Sequence, residues 1–184
     1  MLMREVKFEP DLSKRLQKQY GMENPPATLS EVIKFVKAQV LATAGGREWV
    51  ASIRKGKVTI GETDLERGLS IVSPDGREIK VMCGYDSLGT ALLRGEGLVK
   101  ATCFHCGEKM ELEIEDSKLV HASHPSIVFW IGDGPKGIPF CDHYNFFPDQ
   151  KHLDGWLDTN PEELGVVLSL DETIEFLNLS HKGL

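Results

Sequence analysis

The chain has 184 residues, 41% of them hydrophobic, and a formal charge of -7. That is enough to bury one core, and too acidic overall to offer nucleic-acid phosphates the basic surface they need. No apolar run approaches the ~18 residues a membrane span requires, and the opening MLMREVKFEPD lacks the apolar stretch of a secretory signal. The expectation is a cytoplasmic protein without membrane or nucleic-acid partners, its four cysteines serving as thiols or metal ligands rather than disulfides.

In chain order, Asp11 to Tyr20 reads as a short helix stopped by Gly21, with Pro25 and Pro26 in the following loop. A second helix is expected from Ser30 as N-cap, with Ile33, Val36 and Val40 on one stripe and Gly45-Gly46 ending it. WVASIR and KVTIG read as strands around Lys55-Gly56. Residues 1–60 carry +5 and the remainder -12, so charge and composition place a boundary near Gly61 to Gly68. It separates a small N-terminal helical and hairpin segment, 1–68, from a main domain, 69–184.

From Leu69 the pattern is α+β, a mixed or antiparallel sheet core flanked by short helices. LSIV and REIKVMC flank the turn Ser73-Pro74-Asp75-Gly76. SLGTALLRG reads as a helix, and LVKATC, MELEIED, LVHA and SIVFWI as strands. DGPKGIP is a loop, a helix surrounds His152 to Leu157, and GVVLSL is a last strand. Asp171 is expected to cap a terminal helix running through Leu177.

Two groups could carry chemistry. Cys103 and Cys106, in TCFHCG, have the spacing of half a zinc knuckle, which Cys141 and His143 in FCDHYNFF could complete. In MCGYDSL, Cys83 ends an apolar strand and Asp86 comes three residues later, where a helix begins. A cysteine beside a helix N-terminus is favoured as thiolate, and the i, i+3 spacing lets both side chains face one pocket. Taken alone, Asp86 reads first as a helix cap and Cys83 first as a small buried hydrophobe. His121, His124 and His152 carry no signal above that of surface histidines.

MCGYDSLGTALL resembles the active-site segment of the alkylmercury (organomercurial) lyases. TCFHCGEKMELEI is similar to that family's next segment, and FCDHYNFF to its second catalytic segment. Trp156 and GVVLSLDETIEF are similar to the family's C-terminal part, so that the resemblance runs over residues 69 to 178. The resemblance implies that Cys83 and Cys141 bind mercury, that Asp86 handles the proton, and that Cys103 is structural. Cys106 departs from the family pattern and leaves room for zinc or an accessory thiol. The resemblance also implies that no organic cofactor is needed, that Hg(II) is the bound product, and that cellular thiols and a mercuric reductase receive it.

The chemistry is consistent with these groups. Mercury is soft and prefers thiolate, and the carbon leaving it must be protonated as it goes. A free cysteine is only a few per cent thiolate at pH 7, and an ordinary aspartate is protonated about one part in a thousand. A proton passed from a cysteine to Asp86 supplies both missing species. Tyr85, Trp130, Phe140, Phe146 and Phe147 are candidate pocket walls, and His143 could orient Cys141. The rival expectation is a non-enzymatic protein holding zinc or copper(I) through Cys103, Cys106 and Cys141. It differs in needing the cysteine pair and not Asp86.

Overall fold

The computed structural model describes residues 6–42, 48, 51, 68–133 and 143–181. Helix α1 spans Pro10–Tyr20: the ring of Pro10 presets the first turn, Asp11 and Lys18 complement the two ends of the dipole, and Gly21 closes it at φ 65°. Helix α2 spans Leu29–Ala42, so Ser30 lies inside its first turn and not at its cap. The expected ending at Gly45-Gly46 and the Lys55-Gly56 turn fall outside the described residues. Ala51, expected in a strand, has helical backbone.

Strands β1 (Ser70–Val72) and β2 (Glu78–Lys80) form a hairpin over the expected turn, where Gly76 takes φ 80°. Helix α3 (Gly84–Arg94) comes next, ended by Gly95 at φ 87°. Then come β3 (Glu96–Thr102), β4 (Lys109–Glu115) and β5 (Lys118–Ala122), giving a five-stranded antiparallel sheet ordered β2-β1-β3-β4-β5. In β4 the charged residues face water while Met110, Leu112 and Ile114 are buried, the period of two that its sequence shows.

A second antiparallel sheet, ordered β7-β6-β8, is built from β6 (Val128–Asp133), β7 (Tyr144–Phe147) and β8 (Leu164–Ser169). Helix α4 (Gln150–Thr159) connects β7 to β8, and α5 (Leu170–His181) ends the described chain. The cap of α5 is Ser169 rather than Asp171. The Glu172 amide donates to Ser169 Oγ and the Ser169 amide to Glu172 Oε2, a reciprocal capping box.

Helix α3 packs against β3 of the first sheet and against β7 and α5 of the second unit. Its inward residues Leu88, Ala91 and Leu92 are buried at helical spacing. Leu29 and Ile33 of α2 join the same core, while Leu12, Leu16 and Val32 form a smaller cluster with Leu164 and Val166. Arg15 ties α1 to this region by donating to the carbonyls of Asp133 and Glu162.

The first turn of α3 can approach the second sheet because residue 84 has no side chain. A Cβ there would stand 2.6 Å from the Phe129 ring, 2.9 Å from the Phe146 ring and 3.1 Å from the Tyr144 carbonyl oxygen. Both phenyl rings are fully buried and cannot swing away. Gly84→Ala should therefore cost about 1–3 kcal/mol of stability, read as a lower urea midpoint at unchanged m-value. An unchanged midpoint would show that the approach is looser than described.

Candidate active site

Cys83 is the N-cap of α3, with extended backbone (φ -151°, ψ 170°), and its carbonyl accepts the Ser87 amide at 3.0 Å. Asp86 therefore sits at the third helical position, where a side chain folds back toward the cap. The Cys83 side chain, 1% exposed, lies near the half-buried Asp86 carboxylate and favours its charged form. Burial raises the Asp86 pKa above its ordinary 3.8, and Cys83 only partly opposes that shift. The two groups the sequence placed one helical turn apart are thus brought together.

The surroundings are aromatic. The Tyr85 ring meets Tyr144 edge-on at 6.4 Å and Phe176 at 5.8 Å, and Phe129 packs on Tyr144 and on Phe146. Burial, with added repulsion from Asp86 and Cys83, pushes the Tyr85 phenol up to about 12, although a hydrogen bond with Ser180 works the other way. Tyr144 is raised further, by burial first, then by Tyr20, whose hydroxyl oxygen lies 3.4 Å from its own, and by the nearby Cys83. Tyr85 and Tyr144 are thus neutral hydroxyls in an apolar wall.

Of the expected wall residues, Tyr85 and Phe146 are adjacent to the site. Phe147 instead packs on Trp156, with ring centroids 5.5 Å apart, and Trp130 pairs in register with Asn145. Phe140 and Cys141 lie outside the described residues. Sequence reasoning passed over Tyr144 and Tyr20. Tyr144 is two residues from Phe146 on one strand and so shares its face, a signal that could have found it. Nothing local marks Tyr20, which arrives from a helix 124 residues away.

His143 Nδ1 lies 2.6 Å from Glu163 Oε1, and both side chains are nearly inaccessible. Beside them Asp133 is raised by burial, with Arg15 and His143 opposing and Glu163 adding to the shift. The cysteine pair divides. Cys103 is buried at the end of β3, where desolvation raises its pKa, and its amide and carbonyl close the turn through Glu108 and Gly107. Cys106 is exposed, beside Glu108 and His152. Cys141, which the expected knuckle would need beside Cys103 and Cys106, lies outside the described residues.

The sequence profile of the alkylmercury lyases matches residues 70–179. Among solved structures the chain resembles one described as the crystal structure of the mercury-bound form of MerB2. The TM-score is 0.55 at 18% identity, over 79% of this chain and 81% of that one, a likeness of fold. No curated protein sequence matches the chain.

The raised carboxyl has a consequence for stability. A folded-state pKa above the unfolded value means that the native protein holds the extra proton, so stability falls as pH rises from the ordinary 3.8 through the raised value. Asp86→Asn removes the buried charge and keeps an acceptor for the Cys83 thiol. The variant should melt higher than wild type at pH 7, with the difference shrinking as pH falls toward 4. A variant that melts lower at pH 7 would mean that the carboxylate stabilises the fold.

Proposed function

The chain belongs to the alkylmercury lyase family, and on that premise we propose that it cleaves carbon–mercury bonds by protonolysis, with Cys83, Asp86 and Cys141 as the reacting groups. What carries this reading is the buried thiol–carboxyl pair at the start of α3. Cys83 supplies a sulfur for mercury, and Asp86, one helical turn on, is a proton acceptor with a pKa raised toward the working pH. Cys141, outside the described residues, is the second thiol in this reading.

The steps balance. The sulfur of Cys83 bonds to the mercury of R–Hg–X as its proton passes to Asp86 and X⁻ leaves. Cys141 adds as thiolate, its proton going to solvent, and raises the coordination of the metal. The mercury–carbon bond breaks with its electron pair on carbon, which takes the proton held by Asp86. The products are R–H and Hg(II) held by two thiolates, and external thiols exchange the ion out toward a mercuric reductase or similar acceptor. No organic cofactor enters.

Two features favour proton delivery at that place. A carbanion leaving into bulk water would be protonated by any donor, so a fixed acid matters most in a pocket that excludes water. The walls from Tyr85, Tyr144, Phe129 and Phe146 are of that kind. The neutral Tyr85 and Tyr144 hydroxyls add no competing charge near the metal. Among the described residues no helix is long and apolar enough to cross a membrane, and a thiol-rich cytoplasm suits the exchange step.

The test is benzene release from phenylmercury in excess thiol. Wild type should release benzene, Cys83→Ser should release almost none, and Asp86→Ala should be slower by about 100-fold or more, the size of a lost general acid. Benzene from Asp86→Ala at the wild-type rate would remove Asp86 from the proton path. No benzene from wild type would remove the reaction.

A further inference from the structure

Away from the Cys83–Asp86 pair, the turn between β3 and β4 meets the first turn of α4. Cys106 Sγ, a Glu108 carboxylate oxygen and a His152 ring nitrogen all lie within 4.8 Å of one another. We propose that these three side chains form a surface site for a zinc-class divalent cation.

The donor set selects the ion. One thiolate, one carboxylate and one imidazole form the mixed S, O, N set of zinc sites and suit neither magnesium nor calcium, which take oxygen. Thiolate and carboxylate together neutralise the two positive charges. Three protein ligands leave a fourth tetrahedral position for water.

The outer contacts are what separate this cluster from a chance meeting of polar side chains. Asp149 Oδ1 lies 2.7 Å from His152 Nδ1, which makes Nδ1 the protonated nitrogen and turns the Nε2 lone pair toward Glu108 Oε2, 3.4 Å away. On the other side, His124 Nε2 holds Glu108 Oε1 at 2.9 Å, while its Nδ1 is held by Ser123 Oγ. Oε2 is then left facing Cys106 Sγ at 4.0 Å. Each of the two ligands His152 and Glu108 thus has its other polar atom occupied by a support.

The backbone fixes both halves. The Cys103–Glu108 turn is closed by two main-chain bonds, with Gly107 at φ 79°. The start of α4 is pinned because Asp149 also accepts the His152 amide. His105, on the same turn, lies against the Gly155 backbone of α4, where a Cβ would stand 2.8 Å from its ring. A bound ion would tie the first sheet to the helix after β7, two parts of the chain otherwise joined by packing. Binding converts the Cys106 thiol to thiolate and releases one proton to the buffer.

Metal-stripped full-length protein should be titrated with cobalt(II), whose thiolate charge-transfer band reports sulfur ligation, and with zinc(II) in competition with a chromophoric chelator. Wild type should take one ion and show the band. Cys106→Ser should lose the band, and His152→Gln should bind zinc at least about tenfold more weakly. Asp149→Asn, which still caps α4, should weaken zinc about 10- to 100-fold through His152, and His121→Ala should match wild type. A band that persists in Cys106→Ser would place the metal on other thiols and overturn the site, as would absence of metal uptake by wild type or wild-type affinity in His152→Gln. Wild-type affinity in Asp149→Asn would remove its orienting role.

Discussion

A half-buried carboxyl group beside a buried thiol is the constraint around which this fold is arranged. Neither group is costly in water; both become so when an aromatic wall closes over them. The structure accepts that cost at one place, the first turn of α3, where Cys83 favours the charged carboxylate and the free amides of a helix N-terminus lend positive potential. The result is an aspartate that holds its proton more readily than an ordinary one, beside a sulfur that has one to give.

The rest of the molecule holds that turn in position. Gly84 lets the helix approach the second sheet closely enough for Phe129 and Phe146 to pack against its first turn. Helix α5 contributes Phe176 against Tyr85, and α1 contributes Tyr20 against Tyr144. The second sheet, α5 and α1 therefore meet around a four-residue stretch, Cys83 to Asp86. Cys103 joins the same core as Cys83, whereas Cys106, three residues on, is exposed.

Local signals were legible where a rule is local. The alternation in KMELEIE, the turn at Ser73–Gly76, the glycine stop at Gly21, and the one-turn spacing of Cys83 and Asp86 all appear in the structure as read. Phase separates the two cysteines of TCFHCG where spacing does not. Residues 97, 99, 101 and 103 are all buried, so Cys103 continues the inward face of β3, and Cys106 lies beyond the turn. The Asp171 cap was displaced because a serine and a glutamate three residues apart, Ser169 and Glu172, make a better pair. Contacts between distant segments, Glu163 with His143, Tyr20 with Tyr144 and His152 with Glu108, have no local signature; only the assembled sheets bring them together.

The division of labour between sulfur and carboxyl is the central claim, and one measurement separates them. Asp86→Asn mixed with one equivalent of phenylmercury, without external thiol, should be followed by intact-protein mass and by benzene in the headspace. The account predicts a stable phenylmercury adduct on the protein with little benzene, while wild type passes through the adduct to bound Hg(II) and one equivalent of benzene. Benzene released by the variant as fast as by wild type would contradict it, because the proton would then reach carbon by a route that does not involve Asp86.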